Sequence, residues 1–186
     1  MPSDHERRRA IDTAASMYLA EQPLDMSLLA ERLGIGRATL YRWVGNRDTL
    51  LSIVLAEATE RTYRKAMSQA VDQGADYILD VFGRVMHAVE SSTELRALIK
   101  REPMLFVKLA LLPGSIESIS TSIAAEILQT QIDAGHITIV LSPQVLAGAL
   151  VRICDVHLFA PLLGHERAEI ETALDLIALL LGVTRT

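Results

Sequence analysis

Apolar positions recur at helical spacing along almost the whole chain, and short runs of Gly, Pro, Ser, Asp and Asn cut them into segments. Between Glu6 and Glu21, Ile11, Ala15, Tyr18 and Leu19 fall on one side of a helix, and Pro23 stops the run. Asp25 is placed to cap a short second helix whose buried face is Leu28, Leu29, Ala30 and Leu33, with Gly34 as its end. A third helix begins after Gly36. Asn46 can cap a fourth that carries Asp48 in its first turn, where a negative charge suits the helix dipole, and that runs to about Ala70. Beyond Asp72, Ile78, Phe82, Val85 and Val89 form one face of a fifth, and Asp76, Asp80, Arg84 and His87 form the other.

A short helix around Leu95 to Arg101 leads to Pro103 and MLFVKLALL. That run is apolar on nearly every side apart from Lys108, which predicts a largely enclosed helix ended by Pro113 and Gly114. Ser115 caps a long helix with Ile116, Ile119, Ile123 and Ile127 at helical spacing, closed by Gly135. Two last helices span residues 142–159 and 166–181, separated by Pro161 and Gly164. The fold class is all-α. Val145, Leu146, Leu150, Ile153, Val156 and Leu158 almost encircle the first of these two helices, and Ile170, Leu174, Ile177, Leu180 and Leu181 line the second. A homodimer that pairs these helices in a four-helix bundle would cover them.

Composition supports that picture and narrows the setting. Half of the 186 residues are apolar while only 4% are aromatic, a balance that favours helices over a β-sandwich. The single cysteine, Cys154, excludes an intramolecular disulfide, and MPSDHERRR contains no apolar run to act as a signal sequence, so the expected location is cytoplasmic. The longest stretch without Asp, Glu, Lys or Arg runs from Ala134 to Val151 but includes His136, Thr138, Ser142, Pro143 and Gln144, so no membrane span is expected.

Charge is shared unevenly. Residues 1–50 hold seven arginines and seven acids, whereas residues 51–186 hold 11 bases and 16 acids and carry the whole net charge of −5. Any contact with nucleic acid must then depend on local placement of arginines. Two short helices joined by the tight LGIG turn, after a helix that completes their core, are the parts of a helix-turn-helix. On a helical wheel of residues 37–44, Leu40 and Val44 point inward, Ala38 and Arg42 lie opposite, and Arg37, Thr39 and Tyr41 flank them. Arginine can donate two hydrogen bonds to guanine, small side chains can meet a thymine methyl, and Tyr, Thr and Arg can hold phosphates. The competing reading is an idle solvated face, the usual fate of charged residues on a helix.

LLAERLGIGRATLYRWVGNRDTLL resembles the signature of the TetR family of bacterial one-component repressors, whose usual form is close to IAxxAGVSxGTLYxHFxxKxxLL. The resemblance covers roughly the first quarter of the chain. It implies a three-helix DNA-binding head at residues 1–47 and a helical ligand-binding and dimerisation domain at residues 48–186. Arg37 and Arg42 would reach base edges, Ala38 a thymine methyl, Thr39 base or backbone, and Tyr41, Trp43 and Arg47 phosphates of a palindromic double-stranded operator. Gly36 and Asp25 stand where the family usually has Ser and Thr, which removes two hydroxyl contacts to phosphate, and Trp43 and Val44 replace the commoner His and Phe. The variant YRWVGNRDTLL is similar to a subgroup linked to genes for degrading acyl-homoserine lactones and related lactones, which implies quorum-sensing chemistry.

The resemblance also implies a small apolar effector, acyl or lactone-like, that releases the operator. Candidate linings are Phe82, Val85, Met86, Val89, Leu95, Met104, Leu105, Phe106, Leu109, Ile123 and Ile127, with Arg96, Lys108 or the serines and threonines of residues 118–122 to fix a head group. A closed core would show the same stripe. No cofactor is expected: Gly34 and Gly36 lack the third glycine and the preceding strand of a dinucleotide site, and there is no GxSxG or HExxH. Cys154 and His157 share a helix face, but one such pair makes no metal site. An enzyme is not expected, since no nucleophile and base can be named. The rival is a helical carrier of lipid-like molecules with no specific DNA target.

Overall fold

The computed structural model describes residues 3–111 and 114–185. Among them the chain forms α1 (Asp4–Leu19), α2 (Met26–Leu33), α3 (Arg37–Val44), α4 (Arg47–Gln69), α5 (Gly74–Ser91), α6 (Thr93–Arg101), α7 (Pro103–Phe106), α8 (Ser115–Asp133), α9 (Pro143–Leu158) and α10 (Ile170–Leu180), with no strand. A π turn, Val107–Leu111, follows α7, and a 3₁₀ turn, Ala160–Leu163, follows α9. The fold is all-α. The chain divides into two compact units, one holding the segments up to Ala58 and from Ser92 to Ile116, the other Thr59–Ser91 and the segment from Glu117 onward.

In the first unit, local chemistry sets the helix ends. Ser3 and Glu6 form a reciprocal capping box at α1. The Asp25 carboxylate accepts from the Ser27 and Leu28 amides at 2.7 and 3.1 Å, and these bonds, Leu28 first, hold its pKa below the usual value. Asn46 Oδ1 does the same for the Thr49 amide at 2.8 Å, opening α4. α1 ends at Leu19, short of the expected Glu21, because Glu21 turns into the left-handed region at φ 57 and its carbonyl accepts from Arg101 Nη1 at 2.9 Å. Ile11, Ala14, Met17, Leu29, Ala30, Leu33, Leu40, Val44, Leu50 and Leu51 close the core of this unit.

The stretch MLFVKLALL departs from the enclosed helix its composition predicts. Four α-helical residues pass into a π turn, which shifts the side-chain register. Phe106 and Ala110 are buried, whereas Met104 is 75% exposed. Pro113, expected to help end this segment, lies outside the described residues.

The second unit is built on an apolar core in which Ile78, Phe82, Met86, Ile127, Leu128, Leu150 and Ile177 are fully buried. α10 packs against α5 and α9. Gly83 on α5 permits the approach: a Cβ there would lie 3.4 Å from Leu174 Cδ1. The expected start of α10 at Glu166 is displaced to Ile170. Glu169 accounts for the delay, because its carboxylate meets His157 Nδ1 at 2.8 Å and His165 Nδ1 at 3.1 Å while its amide donates to the His157 carbonyl. These contacts hold residues 164–169 as a turn. No single described helix is long and apolar enough to cross a membrane.

Candidate nucleic-acid interface and effector core

α2, the turn Gly34–Ile35–Gly36 and α3 form the helix-turn-helix, and α1 packs against both helices. Gly34 ends α2 at φ 69, a left-handed conformation that glycine adopts without penalty. Leu40, Trp43 and Val44 then fix the rotation of α3 by packing inward. Arg37, Ala38, Tyr41 and Arg42 are exposed as a consequence, Tyr41 at 47%, and Thr39 is half-buried on their flank. Arg37 reaches Ser27 Oγ only at 3.5 Å, and Arg42 interacts electrostatically with Glu6. These side chains form one outward surface without tight internal partners.

Two of the residues expected on that surface are elsewhere. Trp43 is 9% exposed, because positions 40, 43 and 44 are spaced i, i+3 and i+4 and make one apolar face. Arg47 is bound into the unit: Nε donates to the Leu24 carbonyl at 2.7 Å, and Nη1 and Nη2 donate to Glu102 Oε2 and Oε1 at 2.8 and 2.5 Å. Hydrogen bonding to Glu102 raises its pKa, against the opposing effect of burial. A fork-to-fork pair of this kind fixes geometry as well as charge. These contacts anchor Arg47 within its own unit.

The candidate effector residues divide between the units. Phe82, Val85, Met86, Ile123 and Ile127 are buried in the second unit, where Val89 packs half-buried on the same core. Met104, Leu105, Phe106 and Leu109 belong to the first unit, as does Leu95. Of the polar candidates, Arg96 and Lys108 are exposed, and Lys108 Nζ pairs with Asp48 at 3.2 Å. Ser120 is 7% exposed and hydrogen-bonds to the buried Tyr63, whose ring meets Phe82 edge-on with centroids 6.1 Å apart. Thr121 keeps its Oγ1 buried without any hydrogen-bond partner.

Sequence reading missed one group beside these. Asp155 of α9 is half-buried, and its pKa is pushed up to about 7, first by burial and then by Glu117. A lone acid inside LVRICDVHL was the available signal. Its neighbour Cys154 is buried, which pushes the thiol up, and His157 is engaged with Glu169. The same ring lowers the pKa of Glu169.

A helix-turn-helix with an unfilled polar outer face, borne by a chain whose larger part is a helical core, defines a one-component regulator of transcription. The family described as Tetracyclin repressor-like, C-terminal domain, matches residues 73–182, more than half of the chain. The chain belongs to the TetR family of transcriptional regulators. It is 83% identical to the R. erythropolis transcriptional repressor QsdR of that family, over 100% of this chain and 98% of the other, with a TM-score of 0.96. The fold also matches a Rhodococcus sp. RHA1 protein assigned as a transcriptional regulator, at 17% identity over 96% and 97% of the two chains with a TM-score of 0.65. It further matches the fatty acid degradation regulator FadR of Bacillus halodurans, at 16% identity over 98% and 97% with a TM-score of 0.57. A comparison with curated protein sequences gave no match.

Proposed function

We propose that the protein is a repressor that binds a palindromic operator as a homodimer and leaves it when a small acyl or lactone-like effector occupies the helical domain. The observation that carries this reading is the outer face of α3: Arg37, Ala38, Tyr41 and Arg42 are presented together, with Thr39 beside them, while Leu40, Trp43 and Val44 hold the helix in place. Arg42 and Arg37 read bases, Ala38 meets a thymine methyl, and Tyr41 and Thr39 hold the backbone. Arg47 acts at one remove, by fixing the start of α4. The similar QsdR is a transcriptional repressor, which supports the sign of control.

Exposed apolar side chains on α9 and α10 support the dimer: Val145, Val156, Leu179 and Leu180 are 59%, 56%, 69% and 47% exposed. Two recognition helices set about 34–36 Å apart would meet successive major grooves. An effector that shifts the population of DNA-competent dimers from 99:1 to 1:99 must favour the released form by about 5.5 kcal/mol. The lactone assignment rests on the likeness of YRWVGNRDTLL to regulators of lactone degradation.

Titration of a labelled duplex from the protein's own promoter tests the reading. Arg42→Ala is expected to weaken specific binding by 1–3 kcal/mol, about 5- to 150-fold, with helix content and dimerisation unchanged. Affinity should also fall steeply with salt. Unchanged affinity for the variant would remove α3 from the role of reader, and absence of any salt-dependent complex would favour the carrier reading.

A further inference from the structure

We propose that Arg8 is a positioning residue for operator reading: by locking α1 to α4 it holds α3 at the angle from which its exposed side chains meet base edges. This deepens the DNA-binding role proposed above and rests on it. All the groups involved belong to the first unit.

Arg8 is the middle residue of the run RRR in the first turns of α1. Its Nε and Nη2 donate to Asp12 Oδ1, one turn further along the same helix, at 2.8 and 2.6 Å. Its Nη1 and Nη2 donate to Glu57 Oε1 and Oε2 on α4 at 2.8 and 2.9 Å, across 49 residues of sequence. Four of the five N–H donors of the guanidinium are thus taken, and the two carboxylates, Asp12 first, push its pKa up. Asp12 fixes the plane of the guanidinium, so that its other edge presents a preset fork to Glu57. An isolated surface ion pair would contribute little, but a two-pronged contact held by a third charge is the kind that fixes geometry.

α1 is thereby tied at both ends. Past its C-terminus the Glu21 carbonyl accepts from Arg101 Nη1 at 2.9 Å, and the next residue, Glu102, holds Arg47 at the start of α4. Toward its N-terminus Arg8 holds Glu57, about three turns further along α4 than Arg47, or roughly 15 Å at 1.5 Å per residue. A helix tied at one end can pivot about that point, and a second tie at this distance removes the freedom. α1 packs against α2 and α3 and buries Ala10, Ile11, Ala14 and Met17. Burial of that kind has no preferred direction, so the tilt of α1 on α4, and of α3 with it, is set by the directional bonds at the two ends. Two-pronged reading of a base tolerates misplacement of only about 0.5 Å and 10–20°, which makes that tilt a condition of specific binding. With its donors turned onto carboxylates of its own unit, Arg8 serves the interface without touching a phosphate.

Anisotropy titrations of the full-length protein with a labelled duplex from its own promoter, and with a scrambled duplex, test this. Arg8→Gln should weaken specific binding about fivefold while leaving both the scrambled-duplex affinity and the salt slope of the specific complex unchanged. Glu57→Gln should do the same, and the double variant should bind no worse than either single one, because each removes the same contact. Arg8→Glu combined with Glu57→Arg, which reverses the pair, should recover most of the loss. A thermal transition checks that each variant is folded. Specific affinity of Arg8→Gln within about twofold of the native protein overturns the proposal. A lowered thermal transition without loss of affinity is included in that outcome, since the contact would then serve stability alone. A salt slope reduced by about one also overturns it, by making Arg8 a phosphate contact, as do single losses that add in the double variant. These outcomes leave α3 standing as the reader. Absence of any specific complex with the native protein overturns the proposal and that reading together.

Discussion

The first unit joins several of its distant segments through cations, whereas the second closes over the larger apolar core and adds a long-range ion pair from Arg64 to Glu126. Arg47 ties α4 to Glu102, Arg101 reaches the Glu21 carbonyl, Lys108 pairs with Asp48, and Arg8 holds Asp12 and Glu57 together from α1. In the second unit the large contributors are Phe82, Leu128, Leu150 and Ile177, and the main buried polar contact outside the Tyr63 cluster is Gln131 with the Gly74 amide. Directional bonds fix where a helix points, and apolar burial supplies stability without prescribing bond directions. A surface that must meet DNA in register needs the first. A domain that must accept a guest can be built on the second.

The largest expected effect falls on the apolar side of this contrast. Phe82 is fully buried and lies edge-on to Tyr63, so Phe82→Ala removes both its burial and that ring contact. A loss of about 3–5 kcal/mol in urea unfolding is expected. A loss below about 1 kcal/mol would mean that the core repacks around the gap and that the comparison overstates its share of the stability.

What was legible in the sequence follows the same line. Caps at Asp25 and Asn46 and the turn at Gly34 depend on neighbours within three residues, so spacing alone placed those helix ends. Helical periodicity likewise showed that Arg37, Ala38, Tyr41 and Arg42 turn outward. Trp43, three positions after Leu40, is buried on the same face as it, whereas the family signature implied a phosphate contact there. Arg47 was not legible, because its partner Glu102 is 55 residues away and no local rule connects them. The late start of α10 was hidden for the same reason: it depends on His157 meeting Glu169 across a turn. Sequence named residues 118–122 as a polar group, and only packing distinguishes paired Ser120 from orphaned Thr121.

A smaller effect separates the one ill-placed charge of the second unit from its apolar surroundings. The folded pKa of Asp155, about 7, lies above its ordinary 3.8, so the native state holds a proton that the unfolded chain gives up. Its contribution to stability is thus full below about pH 4 and is lost as the pH rises through about 7. Asp155→Asn should remove that slope and gain on the order of 2 kcal/mol at pH 8. Urea unfolding of both proteins at pH 5 and pH 8 checks it, and parallel pH profiles would show that Asp155 is relieved by water.

The smallest effect expected is on the cationic side. The Arg47 and Glu102 side chains are each 30% exposed, so solvent already weakens their attraction, and Arg47→Ala should cost about 1–2 kcal/mol, less in high salt. Arg47→Lys should recover little of this, because one ammonium cannot hold both carboxylate oxygens and the Leu24 carbonyl in a fixed fork. On the anchoring role proposed above, operator affinity should fall in both variants without a change in its salt slope, because no phosphate contact is lost. A slope reduced by about one would return Arg47 to the DNA interface, and with it the idea that the first unit keeps its strongest cation for itself.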